Sequence, residues 1–172
     1  MQLSVSDSKT EARYLLRRYL SRFYRAKQKQ QTLRERKSRL AAELRALNRD
    51  DPDGLDDAEG RQSRIAKTLN EIESRIERQI GAATGSVTEI MAVFDLLPDD
   101  SQERDILELR HIDCLSWEEI TERVHMTRTP CYLKYTRGLD LLLEREEVKE
   151  ALTAYAARLA EGKCESSENR KS

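Results

Sequence analysis

From Glu11 to Leu47 the chain runs without glycine or proline. Over that stretch Ala12, Leu16, Tyr19, Phe23, Ala26, Leu33, Leu40, Leu44 and Leu47 recur at an alternating four–three spacing that passes through Gln30 and Lys37. Such spacing lays an apolar stripe along one side of a helix, the seam of a coiled-coil-like pair. At 1.5 Å per residue the helix would be roughly 55 Å long, far too long to stand alone in water. It needs a partner. Beyond the polar segment 50–60 (DDPDGLDDAEG), which reads as a flexible loop, Ile65, Leu69, Ile72, Ile76 and Ile80 repeat the spacing. An antiparallel helical hairpin over 7–97 would bury both stripes, and pairing between chains in a homo-oligomer would do so equally well. Gly81 and Gly85 are expected to break the second helix. Ser86 and Glu89 then have the form of a capping box, opening a short helix with Val87, Ile90, Met91, Phe94 and Leu97 on its apolar face.

Composition agrees with an all-α fold. Charged residues make up 37% of the 172, against roughly 25% in an average globular chain. Aromatics are 5%, with 6 Gly and 3 Pro, which excludes a turn-rich β-sandwich and argues against a large α/β enzyme. No apolar run approaches the ~18 residues that cross a bilayer, so no membrane association is expected. The opening Met1-Gln2-Leu3-Ser4 lacks the basic segment and apolar core of a signal peptide. Three cysteines, Cys114, Cys131 and Cys164, make no disulfide framework, and a reducing cytoplasm is the simpler expectation.

The net charge of -1 conceals an asymmetry. Residues 1–50 hold 14 bases and 5 acids, whereas 98–126 hold nine acids and three bases. Binding of a polyanion follows the local field rather than the total.

After Pro98-Asp99-Asp100 the segments shorten. Residues 101–112 read as a helix with Ile106, Leu107, Leu109 and Ile112 inward. Asp113-Cys114-Leu115 turns. Ser116 and Glu119 form a second capping box, opening a helix with Trp117, Ile120 and Val124. His125-Met126 turns again, and Thr127 or Thr129 opens a helix with Cys131, Tyr135, Leu139 and Leu142 on one side. Two short helices joined by such a turn are the helix-turn-helix unit, whose second helix enters the major groove. Arg128, Lys134 and Arg137, the bases between Arg123 and Arg145, all fall on that second helix.

Leu109-Arg110-His111-Ile112, Ser116-Trp117-Glu118-Glu119-Ile120 and Thr127-Arg128 follow one another in the order and spacing of the region 4 helix-turn-helix of sigma-70-type factors, and the segment 101–143 resembles that family. With the upstream ARYLLRRYLSRFYRAKQKQ, the whole is similar to phage and prophage late-transcription activators of the RinA/ArpU kind. The chain departs from the pattern at Pro130, where Ser or Thr is usual, at Gly138, a normally Ala position, and at Lys134, a normally apolar one. The resemblance implies a helix-turn-helix domain at 98–143 that binds double-stranded DNA, acting with host RNA polymerase and without a cofactor. A further helix over 144–160 carries Val148, Leu152, Tyr155, Ala156 and Leu159, and 161–172 reads as a disordered tail.

Periodicity and the resemblance together place Thr127, Arg128, Thr129, Tyr132, Leu133, Thr136 and Arg137 as the DNA-binding residues, with Arg128 suited to a guanine edge and Leu133 to a thymine methyl. Arg17, Arg18, Arg22, Arg25 and Lys29 are candidates for additional phosphate contacts. The plainer alternatives are a mixed helix surface for the first set and a solvated helix flank for the second. His111, Cys114, His125 and Cys131 approach zinc-finger spacing, but a structural site needs all four side chains to converge, and no metal is expected. No phosphate loop, nucleophile elbow or metalloprotease motif occurs, so no catalytic residue is assigned. A sequence-specific activator is the preferred function. A small terminase subunit, or another packaging or assembly protein using the same helices, is the rival, and a repressor would look the same in sequence.

Overall fold

The computed structural model describes residues 5–50 and 56–168, with side chains described over 8–47 and 60–161. Among the described residues the fold is all-α: seven helices and no strand. In chain order they are α1 (Val5–Leu20), α2 (Arg22–Asp50), α3 (Asp56–Phe94), α4 (Gln102–His111), α5 (Trp117–Arg123), α6 (Arg128–Leu143) and α7 (Glu146–Glu168). None of them is long and apolar enough to cross a membrane. The helices divide between two compact units, Phe23–Gly85 and the combination of Met1–Arg22 with Ser86–Ser172.

In the unit Phe23–Gly85, α2 and α3 run antiparallel. Lys29 and Thr32 line a groove with Arg78 and Gln79, while Leu40 and Glu43 line its continuation with Thr68 and Ile72. Lys37 Nζ reaches Glu73 Oε1 at 2.6 Å. Phe23, Ala26, Gln30, Leu33, Lys37, Leu40, Leu44 and Leu47 are all wholly or partly buried, while almost every other described residue of α2 is exposed. On α3 the protected positions are Gln62, Ile65, Leu69, Ile72, Ile76, Gln79 and Ala83. Ile80, expected in the stripe, is 42% exposed. Ala83 continues the stripe in its place, because a four–three register from Ile76 reaches positions 79 and 83. Gly81 and Gly85 do not interrupt the helix. Both lie on its exposed side, where each costs about 1 kcal/mol of helix propensity against Ala, too little to outweigh a stripe that continues on both sides. Ser86 is therefore mid-helix and caps nothing. Of the segment expected to be a loop, residues 51–55 lie outside the described ones, while α2 extends to Asp50 and α3 begins at Asp56.

The other unit gathers α1, the end of α3, and α4 to α7 around one core. Leu16, Leu20, Ile90, Phe94, Ile106, Leu107, Ile120, Leu139, Leu142 and Val148 are all essentially inaccessible. On α4 the inward residues are Ile106, Leu107 and His111, while Leu109 and Ile112 are only partly covered. Arg104 ties the preceding turn to this helix, donating to Glu108 at 2.8 Å, to Asp95 at 2.7 Å and also to Asp99. α7 runs on to Glu168, through the first part of the segment expected to be disordered; 169–172 lie outside the described residues.

Gly138 is explained by the approach of α4 to α6. A Cβ there would meet Leu107 Cδ1 at 2.8 Å and Glu103 Cβ at 3.2 Å. Crowding a packed core costs about 1–3 kcal/mol, which exceeds the helix-propensity gain of about 1 kcal/mol. Gly138→Ala is expected to lower stability by about 1 kcal/mol. Gly85→Ala, with nothing within 4 Å of its Cβ, is expected to raise it by a similar amount. Urea midpoints of the two variants check the pair of opposite signs.

Candidate functional site

The region around α5 and α6 is built from local signals. Ser116 caps α5: its Oγ accepts from the Glu119 amide at 3.3 Å, and its own amide donates to Glu119 Oε2 at 2.8 Å. That donation holds the Glu119 carboxyl below its usual range. α5 closes on His125 in the left-handed region, φ 52°. The His125 amide donates to the Glu122 carbonyl at 3.3 Å and the Met126 amide to the Thr121 carbonyl at 3.1 Å, the paired bonds of a Schellman end. A side chain at this position costs about 1 kcal/mol against glycine. Cys114, also left-handed at φ 61°, turns the chain between α4 and α5.

Thr127 stands at the amino-terminal cap of α6 in extended conformation, with no side-chain cap bond. Pro130 falls in the first turn, where its missing amide hydrogen removes no helical bond. Cys131, Tyr135, Gly138, Leu139 and Leu142 face the core. Arg128, Thr129, Leu133 and Arg137 are exposed, Leu133 by 64%. Thr136 is half-buried and donates to the Tyr132 carbonyl at 3.0 Å. Arg128 lies 3.4 Å from Glu118, with both side chains in solvent. Lys134 and Arg137 each lie 3.8 Å from one carboxylate oxygen of Glu103, which accounts for a lysine at a position expected to be apolar.

α6 packs on α1. The single helix expected from Glu11 to Leu47 is two, α1 and α2. Residues up to Arg22 leave the hairpin expected over 7–97 for the unit of α6, where Leu16, Tyr19 and Leu20 find a core to bury in. Arg13 grips Asp140 with two bonds of 2.6 Å, and Lys9 adds a third cation–carboxylate contact at 3.0 Å. The Arg13 guanidinium, bonded to it, holds the Asp140 carboxyl below its usual range. Arg17 donates to the Tyr132 hydroxyl at 3.1 Å, with its guanidinium over the rings of Tyr132 and Tyr135. Its Nε is buried without a hydrogen-bond acceptor. Tyr132, 42% exposed, is thereby held between α1 and Trp117, whose ring it meets edge-on at 5.5 Å. Arg22 stacks on Tyr19 at 3.8 Å and pairs with Glu89 at 2.7 Å. Arg17 and Arg22 thus hold helices and rings together within this unit. Arg18 is half-buried, and its carbonyl accepts from the Tyr155 hydroxyl at 3.5 Å. Arg25 and Lys29 are exposed on α2.

Behind the exposed face lies a buried polar pair. His111 Nε2 and the Tyr135 hydroxyl share a hydrogen bond of 3.0 Å, with the two rings stacked. Burial, reinforced by the nearby Arg110 and Arg17 charges, pushes the His111 pKa down to about 3, and burial pushes Tyr135 up to about 12. Both are neutral at ordinary pH. His111 is turned toward Tyr135 and Cys131 is fully buried, and no group of three or more His, Cys, Asp or Glu that could hold a metal ion occurs among the described residues. His111 stands four residues after Leu107, on the same face of α4, a spacing missed when the helix is read by its aliphatic residues alone. No local pattern points to the roles of Lys9, Arg13 and Asp140. Comparison of the chain with models of protein families, with curated proteins and with solved structures finds no match.

Proposed function

We propose that the chain is a sequence-specific DNA-binding transcription activator, of the kind that serves phage or prophage late genes with host RNA polymerase. In this reading α5, the turn at His125 and α6 form a helix-turn-helix, and α2 with α3 form a coiled-coil-like hairpin. The observation that carries the proposal is the outward side of α6. It exposes Leu133, a large apolar side chain, together with Arg128, Thr129 and Arg137. An exposed leucine flanked by hydrogen-bonding and cationic side chains suits the mixture of thymine methyl, base edges and phosphates in a major groove. α1 supports the same reading: Lys9 and Arg13 neutralise Asp140, the one acid of α6, which would otherwise repel a phosphate. Acidic side chains of α4 and α5 leave surface suited to a protein such as the polymerase rather than to wrapped DNA.

Footprinting of the purified protein across a phage or bacterial genome, followed by transcription from the bound promoter with and without it, tests this. Protection of a discrete site upstream of a promoter, with increased transcript, is expected. Ring-shaped oligomers bound at a packaging site would replace the activator with the terminase reading, and decreased transcript would replace it with a repressor.

A further inference from the structure

The unit that contains α6 is poorly charged for the task just proposed. Residues 1–22 and 86–172 together hold 17 bases against 21 acids, and a polyanion would be drawn to that unit weakly. The attraction has to come from elsewhere in the chain.

The paired helices supply it. Over 23–47 and 61–85 there are 13 bases and five acids. The remaining acids of that unit cluster between Asp50 and Glu59. Counted along α2 from Arg36, that cluster begins roughly 20 Å away at 1.5 Å per residue, about twice the screening length of ordinary salt. Two adjoining hollows, of about 590 and 650 Å³, run between α2 and α3 on one flank and share Leu33, Arg36 and Arg75. Lys29, Arg36 and Arg39 border them from α2, and Arg75 and Arg78 from α3. Among the described residues none of these five has a carboxylate within ion-pair distance; Arg78 donates to the Ser74 carbonyl at 3.3 Å. In a helix pair held together by its own flanking charges, cations would face acids across the seam. Lys37 and Glu73 do so. On the groove flank Glu43 and Glu71 also border the first hollow, but five cations outnumber these two acids, and Arg36 lines both hollows together with Arg75.

We propose that this groove is a binding surface for the phosphate backbone of double-stranded nucleic acid, independent of base sequence. It rests on the preceding reading only in supplying the attraction that α6 lacks. Four of the five cations are arginines, whose planar fork matches phosphate oxygens two at a time. Their placement on both helices lets one stretch of backbone be held from two sides. An acidic protein helix is the competing occupant. The unpaired cations favour the polyanion, because a helix would have to bring one carboxylate to each of five scattered positions.

The test uses the full chain and a random-sequence duplex of about 30 base pairs, titrated between about 50 and 200 mM salt. Replacing Arg36, Arg39, Arg75 and Arg78 together by Gln keeps good helix formers at exposed positions, and circular dichroism verifies the fold. The salt dependence is expected to flatten by about three to four units of slope, so that the unmodified chain loses on the order of 100-fold more affinity across the range than the variant. The same four positions replaced by Lys are expected to keep most of the slope. Equal slopes for the unmodified chain and the Gln variant would overturn the proposal. So would tighter binding of polyglutamate than of duplex at equal charge, which would assign the groove to an acidic protein. Arg128→Ala is measured alongside, and all proteins are also titrated on the duplex that footprinting identifies. A protein with no sequence preference but a groove-dependent slope refutes the α6 reading and leaves the groove; a protein with preference but no groove dependence does the reverse.

Discussion

Acidification from pH 6.5 towards 3 is expected to strip the unit containing His111 of on the order of 4–5 kcal/mol, at a rate approaching 1.4 kcal/mol per pH unit. In the folded chain the imidazole is buried against Tyr135, Phe94 and two arginines, and its pKa falls to about 3. The unfolded chain takes up the proton near 6.5. Between those values the unfolded state binds more protons than the folded one. Stability is therefore complete above pH 6.5 and drains away as the pH falls. Asp140 and Glu119, both held below their usual ranges, lose their contributions at lower pH than the onset for His111. Urea unfolding at pH 7 and 4.5 separates the two effects. The unmodified chain is expected to lose about 2–3 kcal/mol over that interval, and His111→Gln, which keeps a hydrogen-bonding group beside Tyr135 but cannot be protonated, should lose much less. An identical loss in both proteins would place the acid sensitivity elsewhere.

If α6 binds DNA as proposed, Arg128 and Arg137 are expected to behave differently there. Arg128 stands at the open end of α6, 3.4 Å from a solvated Glu118, where a recognition helix would first meet base edges. Arg128→Ala should cost about 1–3 kcal/mol at the cognate site, some 5- to 150-fold, and relax the preference at one base pair. Arg137 lies further along the helix and shares Glu103 with Lys134. Arg137→Ala should weaken cognate and scrambled duplexes alike and lower the salt slope by about one. Titrations of both variants on both duplexes at several salt concentrations decide the matter. Loss of discrimination with Arg137→Ala, and uniform weakening with Arg128→Ala, would reverse the orientation of α6.

Local signals were the legible part of this chain. A four–three stripe identifies the protected face of α2 position by position, through Gln30 and Lys37, because a helix face is fixed by geometry within a few turns. Ser116 and Glu119 announced α5 for the same reason. Where two apolar phases competed, composition misled: Ile80 outweighs Ala83 in hydrophobicity, yet the register set by Ile72 and Ile76 favours the alanine. Ser86 and Glu89 carry the letters of a capping box, but a cap forms only where a helix begins, and the exposed Gly81 and Gly85 were too weak a break to begin one. The contacts that shape the candidate site lie beyond any local pattern. Arg13 meets Asp140 across 127 positions, and Arg17 meets Tyr132 across 115. In sequence those arginines are indistinguishable from the other bases of the amino-terminal stretch.

Because α1 packs on α6 and α7 while Phe23–Gly85 forms a unit of its own, one folded body is interrupted in sequence by another. On the ribosome α1 emerges well before α6 and α7, the helices it packs on. Its aromatic and aliphatic face, Leu16, Tyr19 and Leu20, is left uncovered until they follow, a window in which nascent chains aggregate or recruit chaperones. The inserted helices shorten the search that follows. Once α2 and α3 have paired antiparallel, the start of one and the end of the other are brought together, and a long loop closure, whose entropic cost grows with chain length, becomes the docking of neighbouring ends. The order of birth and the order of folding are thus inverted: α2 and α3 are free to pair before α1 has anything to pack on.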